Sequence, residues 1–77
     1  MNLRQLRAFV LIAEHRSIRA AARALFVTQP AATRSLRELE QSVGAELVRR
    51  SVKGVELTTY GEALYKRAVL ILQEARK

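Results

Sequence analysis

Ser17-Ile18-Arg19-Ala20-Ala21-Ala22-Arg23-Ala24-Leu25, then Phe26-Val27, then Thr28-Gln29-Pro30-Ala31, is the stretch whose reading decides the fold. Ser17 can cap a helix by accepting from a free backbone N–H, and Ile18, Ala21, Ala22 and Leu25 follow at i, i+3, i+4 and i+7, one helical face. The alanines in the middle let a second helix cross closely. Thr28 is a second N-cap, and Pro30 suits a first helical turn, where its missing N–H leaves no bond unmade. That second helix carries Ala32, Leu36, Leu39 and Val43 on its expected buried face and Gln29, Pro30, Thr33, Arg34 and Arg37 on the opposite side. Gly44 is placed to end it in the left-handed conformation.

Upstream, Leu3, Leu6, Val10 and Ala13 recur at helical spacing and Phe9 widens their stripe, so a helix is expected from Leu3 to Ala13. Ala8, Leu11 and Ile12 are also apolar and fall off that stripe, which implies a second apolar neighbour. Downstream of Gly44 the helical period lapses. Leu47 to Arg50 and Val55 to Thr58 flank Ser51-Val52-Lys53-Gly54, reading as a small hairpin with a basic tip that must lean on the helices. Thr59 and Glu62 have capping-box spacing and open a helix expected to run on to Lys77 with no stop signal. Its apolar residues occupy three faces: Leu64, Ala68, Ile71 and Ala75 on one, Tyr65, Val69 and Leu72 on another, Leu70 on a third.

The 77 residues hold 14 Lys and Arg against 7 acids, a formal net charge of +7. One small domain is expected, with enough apolar residues (49%) for one core and only marginal stability alone. There is no Cys, Asp or Trp and a single His, so a disulfide scaffold, a Cys/His zinc site and any Asp-based metal cluster or catalytic triad are excluded, and no cofactor, metal or catalytic residue is expected. His15 reads as a helix-terminal surface residue, and Ser51, Thr58 and Thr59 as turn and cap residues. No apolar run approaches the roughly 20 residues of a membrane span, and no signal peptide opens the chain. The expectation is a cytoplasmic protein that binds a polyanion, most simply nucleic acid.

Two short helices joined by a turn of about three residues form a helix-turn-helix, and the hairpin supplies a wing. The sequence from Ser17 to Leu25, then Val27-Thr28-Gln29-Pro30-Ala31, Leu39-Glu40, Leu47 to Arg50, and Gly54-Val55-Glu56-Leu57-Thr58 with Gly61 closely resembles the N-terminal DNA-binding domain of LysR-type transcriptional regulators. The likeness spans essentially the whole chain without an insertion. It implies a mainly α fold, a winged helix-turn-helix over residues 1–58 followed by a linker and dimerisation helix over 59–77. It further implies a bacterial regulator of which a larger effector-sensing domain is absent here, so that any small-molecule effector acts only through that domain. The sequence departs from the family's habits at Arg16, where glycine is common before the helix cap, and at Ala32, Thr33 and Val48. Arg16 is therefore expected either at positive φ or in a different turn.

A helix N-terminus favours phosphate through its free N–H groups and dipole, while outward side chains reach base edges in the major groove. Gln29 can pair bidentately with adenine and Arg34 with guanine; Thr33 can donate or accept, and Pro30 or the Thr33 methyl can meet a thymine methyl. These four match the family's recognition-helix positions. The competing reading pairs Arg34 with Glu38 on a solvated face. For the backbone and wing, Thr28, Arg19, Arg37, Arg49, Arg50 and Lys53 are the candidates. Arg37 has the alternative of an ion pair with Glu40, Arg50 of folding back on Glu40 or Glu46, and Arg19 and Arg23 of a plain solvated edge.

The surplus apolar surface of the last helix suggests that Ala63, Leu64, Ala68, Leu70 and Ile71 pack partly on the first helix and partly on the same helix of a second subunit in a two-fold homodimer, supported by the over-apolar first helix, and hence an inverted-repeat operator in double-stranded DNA. Alternatively that surface belongs against the absent domain. Two other DNA binders compete: a sequence-nonspecific architectural or nucleoid protein, and a winged helix of another family such as the molybdate-responsive regulators. A membrane-surface helix fits poorly, because charge and apolar residues are too little segregated.

Overall fold

The computed structural model describes the backbone of residues 1–76 and the side chains of residues 1–73. The expected helical end at Lys77 and the side chains of Glu74 and Ala75 therefore lie outside the described residues. The order is α1 (Leu3–His15), α2 (Ile18–Leu25), α3 (Gln29–Val43), β1 (Val48–Ser51), β2 (Gly54–Leu57) and α4 (Thr59–Arg76).

Helix α1 starts on an Asn2 capping box, with Asn2 Oδ1 accepting from Gln5 N at 2.8 Å and Gln5 Oε1 accepting from Asn2 N at 3.3 Å. It is the axle of the fold, packed by α2, α3 and α4. Burial therefore spreads beyond the stripe of Leu3, Leu6 and Val10, as the surplus apolar residues imply. Leu3 stays 43% exposed, whereas Ala8 and Ile12, which fall off the stripe, are fully buried with Leu6, Phe9 and Val10. The second apolar neighbour that α1 requires is thus found within the protomer, so its excess apolar surface lends no support to a dimer.

Ser17 caps α2 by accepting from Ala20 N at 3.0 Å, and Ala21 and Ala22 are buried on a helix that packs against both α1 and α3. Both ends of α2 are bounded by non-glycine residues in the left-handed region, Arg16 (φ 55) and Phe26 (φ 59). The first is the positive-φ alternative expected for Arg16. The second carries no signal in the sequence. Thr28 caps α3 by accepting from Ala31 N at 3.2 Å, and Gly44 ends it at φ 75. Along α3, Ala32, Leu36 and Leu39 are buried as expected, but Val43 is 41% exposed and the buried position at that end is taken by Glu40.

The hairpin pairs Val48 with Leu57, Arg49 with Glu56, Arg50 with Val55 and Ser51 with Gly54, leaving Val52 and Lys53 as a two-residue tip. It is fastened to the helices at both ends. Val55 N donates to Arg16 O at 3.1 Å, and Thr58 N donates to Leu47 O at 3.0 Å. The left-handed turn at Arg16 aims that carbonyl at the wing, and Gly54 is required opposite it because a Cβ there would lie 2.5 Å from Arg16 O. The cap of α4 is Thr58, one residue earlier than the Thr59–Glu62 spacing suggests. Its Oγ1 accepts from Gly61 N at 3.0 Å while its hydroxyl donates to Glu46 O at 2.6 Å. Val48, Val55, Leu47 and Ala68 join the α1 residues in one core, with Leu57, Leu64 and Val69 half-buried against it.

Candidate nucleic-acid interface

Helix α3 presents Gln29, Pro30, Thr33 and Arg34 together on one open concave surface. All but Thr33 are exposed, and Thr33 is half-buried. The grouping follows from helical spacing: at about 100° per residue, positions 30, 33, 34 and 37 fall on one side and 32, 36 and 39 on the other. Glu38 does not pair with Arg34. Its Oε1 accepts from Gln5 Nε2 at 3.3 Å, and among the described residues Arg34 has no ion-pair partner. The guanidinium is available for an outside acceptor.

Beside the N-terminus of α3 lies a groove lined by Ser17, Arg19, Gln29 and Arg50. Adjacent strand residues point to opposite faces, so the register separates Arg50 from Arg49. Arg50 shares the inward face with buried Val55 and faces Arg19 and Gln29; Arg49 lies across from Glu56 on the other face, in a groove with Glu46 and Thr58. The alternative in which Arg50 folds back on Glu40 or Glu46 is not the one adopted. Lys53 stands exposed at the wing tip, its N–H donating to Ser51 Oγ at 3.1 Å. Arg16, behind the wing, pairs with Glu56 at 3.5 Å, both side chains about half exposed.

Arg37 takes the ion-pair alternative. Its Nη1 donates to Glu40 Oε1 at 2.9 Å, and Glu40 Oε2 accepts from Leu47 N at 2.8 Å. A carboxylate 8% exposed thus joins α3 to the residue preceding β1. The sequence marks Glu40 as part of the Leu39-Glu40 motif and as a neighbour of arginines; the buried backbone N–H that it serves is seven residues away and across a loop.

On α4, the residues expected to dimerise divide. Ala68 is 0% exposed and Leu64 half-buried against the protomer's own core, because that face meets α1; these two take the share of packing on α1 expected for part of the set, and Ala68 keeps no surface for a partner. Ala63, Leu70 (61%) and Ile71 (39%) point outward, next to Tyr60 (68%). The other face is held to α1 by the Tyr65 hydroxyl, which donates to Glu14 Oε2 at 2.7 Å, and that hydrogen bond raises the phenol's pKa above 10.0, assisted by burial and the carboxylate's charge. No helix among the described residues is long and apolar enough to cross a membrane, and no group of three or more His, Cys, Asp or Glu among them could hold a metal ion.

The family described as bacterial regulatory helix-turn-helix protein, lysR family, matches residues 3–62. The chain is 47% identical over 72 residues to the HTH-type transcriptional regulator BudR of Klebsiella aerogenes, covering 94% of this chain and 50% of that protein. To the regulator TfdS of Cupriavidus pinatubonensis it is 45% identical over 76 residues, 99% of this chain and 26% of the relative. The chain therefore spans between a quarter and a half of these regulators. Among solved structures, the DNA-binding domain of CbnR in complex with DNA superimposes with a TM-score of 0.91 at 43% identity, over 97% of this chain and 86% of that one. The BenM DNA-binding domain on its catB site 1 DNA gives 0.93 at 34% identity, over 99% and 85%.

Proposed function

Because the chain belongs to the LysR family of bacterial regulatory helix-turn-helix proteins, we propose that it is the sequence-specific, double-stranded DNA-binding part of a longer transcriptional regulator, acting in the cytoplasm by binding and not by catalysis. The observation that carries the reading is the clustering of Gln29, Pro30, Thr33 and Arg34 on the open face of α3, with Arg34 unpaired among the described residues. Two relatives of the same fold that were solved on DNA support it. In this reading α3 enters the major groove and reads base edges, while Arg19, Arg50 and Lys53 hold phosphates on the side of the wing and Thr28 contributes at the helix start. Arg37, whose guanidinium is engaged by Glu40, contributes little, and Arg49 reaches phosphate only from the face of the wing turned away from Arg19 and Gln29.

Residues 1–58 form the DNA-binding unit and 59–77 the linker helix. Two copies associate through Ala63, Leu70 and Ile71, presenting two α3 helices to half-sites about 34 Å apart, or to a bent equivalent, in an inverted repeat. Selection of bound sites from a random duplex pool tests the whole reading. An inverted repeat of fixed spacing is expected, with specific affinity more than about 10³ over random DNA at physiological salt. A ratio near unity means a nonspecific packaging protein, and a lone half-site removes the dimer. Sedimentation at micromolar concentration that shows only monomer also counts against the dimer.

A further inference from the structure

A second basic groove lies on the other flank of α3, formed where α1 runs antiparallel to it. Met1 reaches Ser42 Oγ at 3.1 Å and Gln5 reaches Glu38, so the first turns of α1 lie along the middle and end of α3. Arg4 and Arg7, three apart on α1, and Arg34 on α3 line this groove over a floor of alanines, Leu25 and Val27. Its single carboxylate, Glu38, is engaged by Gln5, and among the described residues neither Arg4 nor Arg7 has an ion-pair partner.

Position matters more than charge. Around α3, Gln29 marks the side facing Arg19 and Arg50, the face of Pro30, Thr33 and Arg34 comes next, and the groove side with Ala31, Arg34 and Glu38 lies roughly a quarter turn beyond, at about 100° per residue. Arg34 belongs to both the central face and the groove. A helix that fills the roughly 12 Å major groove has a phosphate strand on each side. The wing side supplies cations for one strand only.

We propose that Arg4 and Arg7 form a second phosphate-binding track, contacting the DNA strand on the flank of α3 opposite the wing, so that the recognition helix is held from both sides. This rests on the DNA-binding reading above. A free acidic peptide could use the same cations, but Arg34 is shared with the base-reading face, which favours the duplex.

The test is fluorescence anisotropy of the chain on a labelled random-sequence 24-base-pair duplex at several salt concentrations. Arg4→Gln/Arg7→Gln is compared with Lys66→Gln/Arg67→Gln, which removes the same charge from exposed positions of α4, and melting curves confirm that both fold. Loss of two phosphate contacts shallows the slope of log K against log salt by about 1.8. The wild-type advantage over the variant accordingly shrinks about twelvefold between 50 and 200 mM salt. The α4 control keeps the wild-type slope. If the groove variant keeps that slope, or moves no more than the control, the second track is wrong and the DNA-binding reading stands; if the wild type binds no duplex, the parent reading fails as well.

Discussion

Replacing Glu40 by alanine should cost far more stability than its place on a recognition-type helix suggests. The carboxylate is 8% exposed, accepts from the buried Leu47 N–H at 2.8 Å and faces Arg37 at 2.9 Å. Glu40→Ala leaves that N–H without a partner in a site closed by Leu47 itself, which is 1% exposed. An orphaned buried donor costs about 1–3 kcal/mol, and the lost charge-assisted bond places the total near the upper end, about 3 kcal/mol. Arg37→Ala removes a side chain that is 63% exposed and leaves the Leu47 bond intact, so under about 1 kcal/mol is expected. Glu40→Gln keeps an acceptor for Leu47 and falls between them. For a domain of this size 1 kcal/mol shifts the midpoint by about 4–8 °C, so thermal melts followed by far-UV circular dichroism should show Glu40→Ala lower by about 12–24 °C and Arg37→Ala by a few degrees. A Glu40→Ala loss below about 1 kcal/mol, or a larger loss for Arg37→Ala, refutes the assignment of the carboxylate to the Leu47 N–H.

Gly61→Ala should prevent normal docking of α4, since its Cβ would lie 2.0 Å from Leu47 O, and Gly54→Ala should loosen the wing from Arg16 O; both are expected to lower the melting temperature, Gly61→Ala more. The opposite sign is expected at the two strained turn residues: Arg16→Gly and Phe26→Gly each relieve a left-handed non-glycine backbone and should stabilise by about 0.5–1 kcal/mol in denaturant titrations, Arg16→Gly gaining less because it also loses the exposed pair with Glu56. In a Tyr60→Phe background, the absorbance titration of Tyr65 should have its midpoint above 10.0, and Glu14→Gln should lower it. Because the folded-state pKa is raised, this contact contributes stability fully below pH 10, lost as pH climbs through the folded value. On a selected site, Arg34→Ala should cost about 1–3 kcal/mol of binding and relax preference at one base pair, whereas Lys53→Ala should weaken all duplexes alike; equal losses on specific and random DNA for Arg34 would sink its base-reading role.

The local features were legible because each is encoded within a few residues. Ser17 and Thr28 cap the helices they precede, Pro30 sits in a first turn, Gly44 turns left-handed, and the polar face of α3 follows from spacing alone. The opposition of Arg49 and Arg50 was also available from strand alternation, once the register is known. The resemblance carried by Thr28-Gln29-Pro30-Ala31 and Gly54 to Thr58 agrees with the family match over residues 3–62.

What the chain's order alone could not decide is every contact between residues far apart along it. Which side of α1 is buried depends on three helices packing around it, so Leu3, on the stripe, stays 43% exposed while Ile12, off it, is fully enclosed. Arg16 accepts the wing through Val55, Glu14 is reached from Tyr65, and Arg4 and Arg7 come to lie beside Arg34 only because α1 runs antiparallel to α3. Which α4 residues pack on α1 and which stay exposed was likewise decided by the fold: Ala68 is consumed by the protomer's own core, whereas Leu70 stays 61% exposed. Periodicity marks a side chain as apolar or charged on a given face, but the burial of that face is a property of its neighbours, and those neighbours are chosen by the whole core at once.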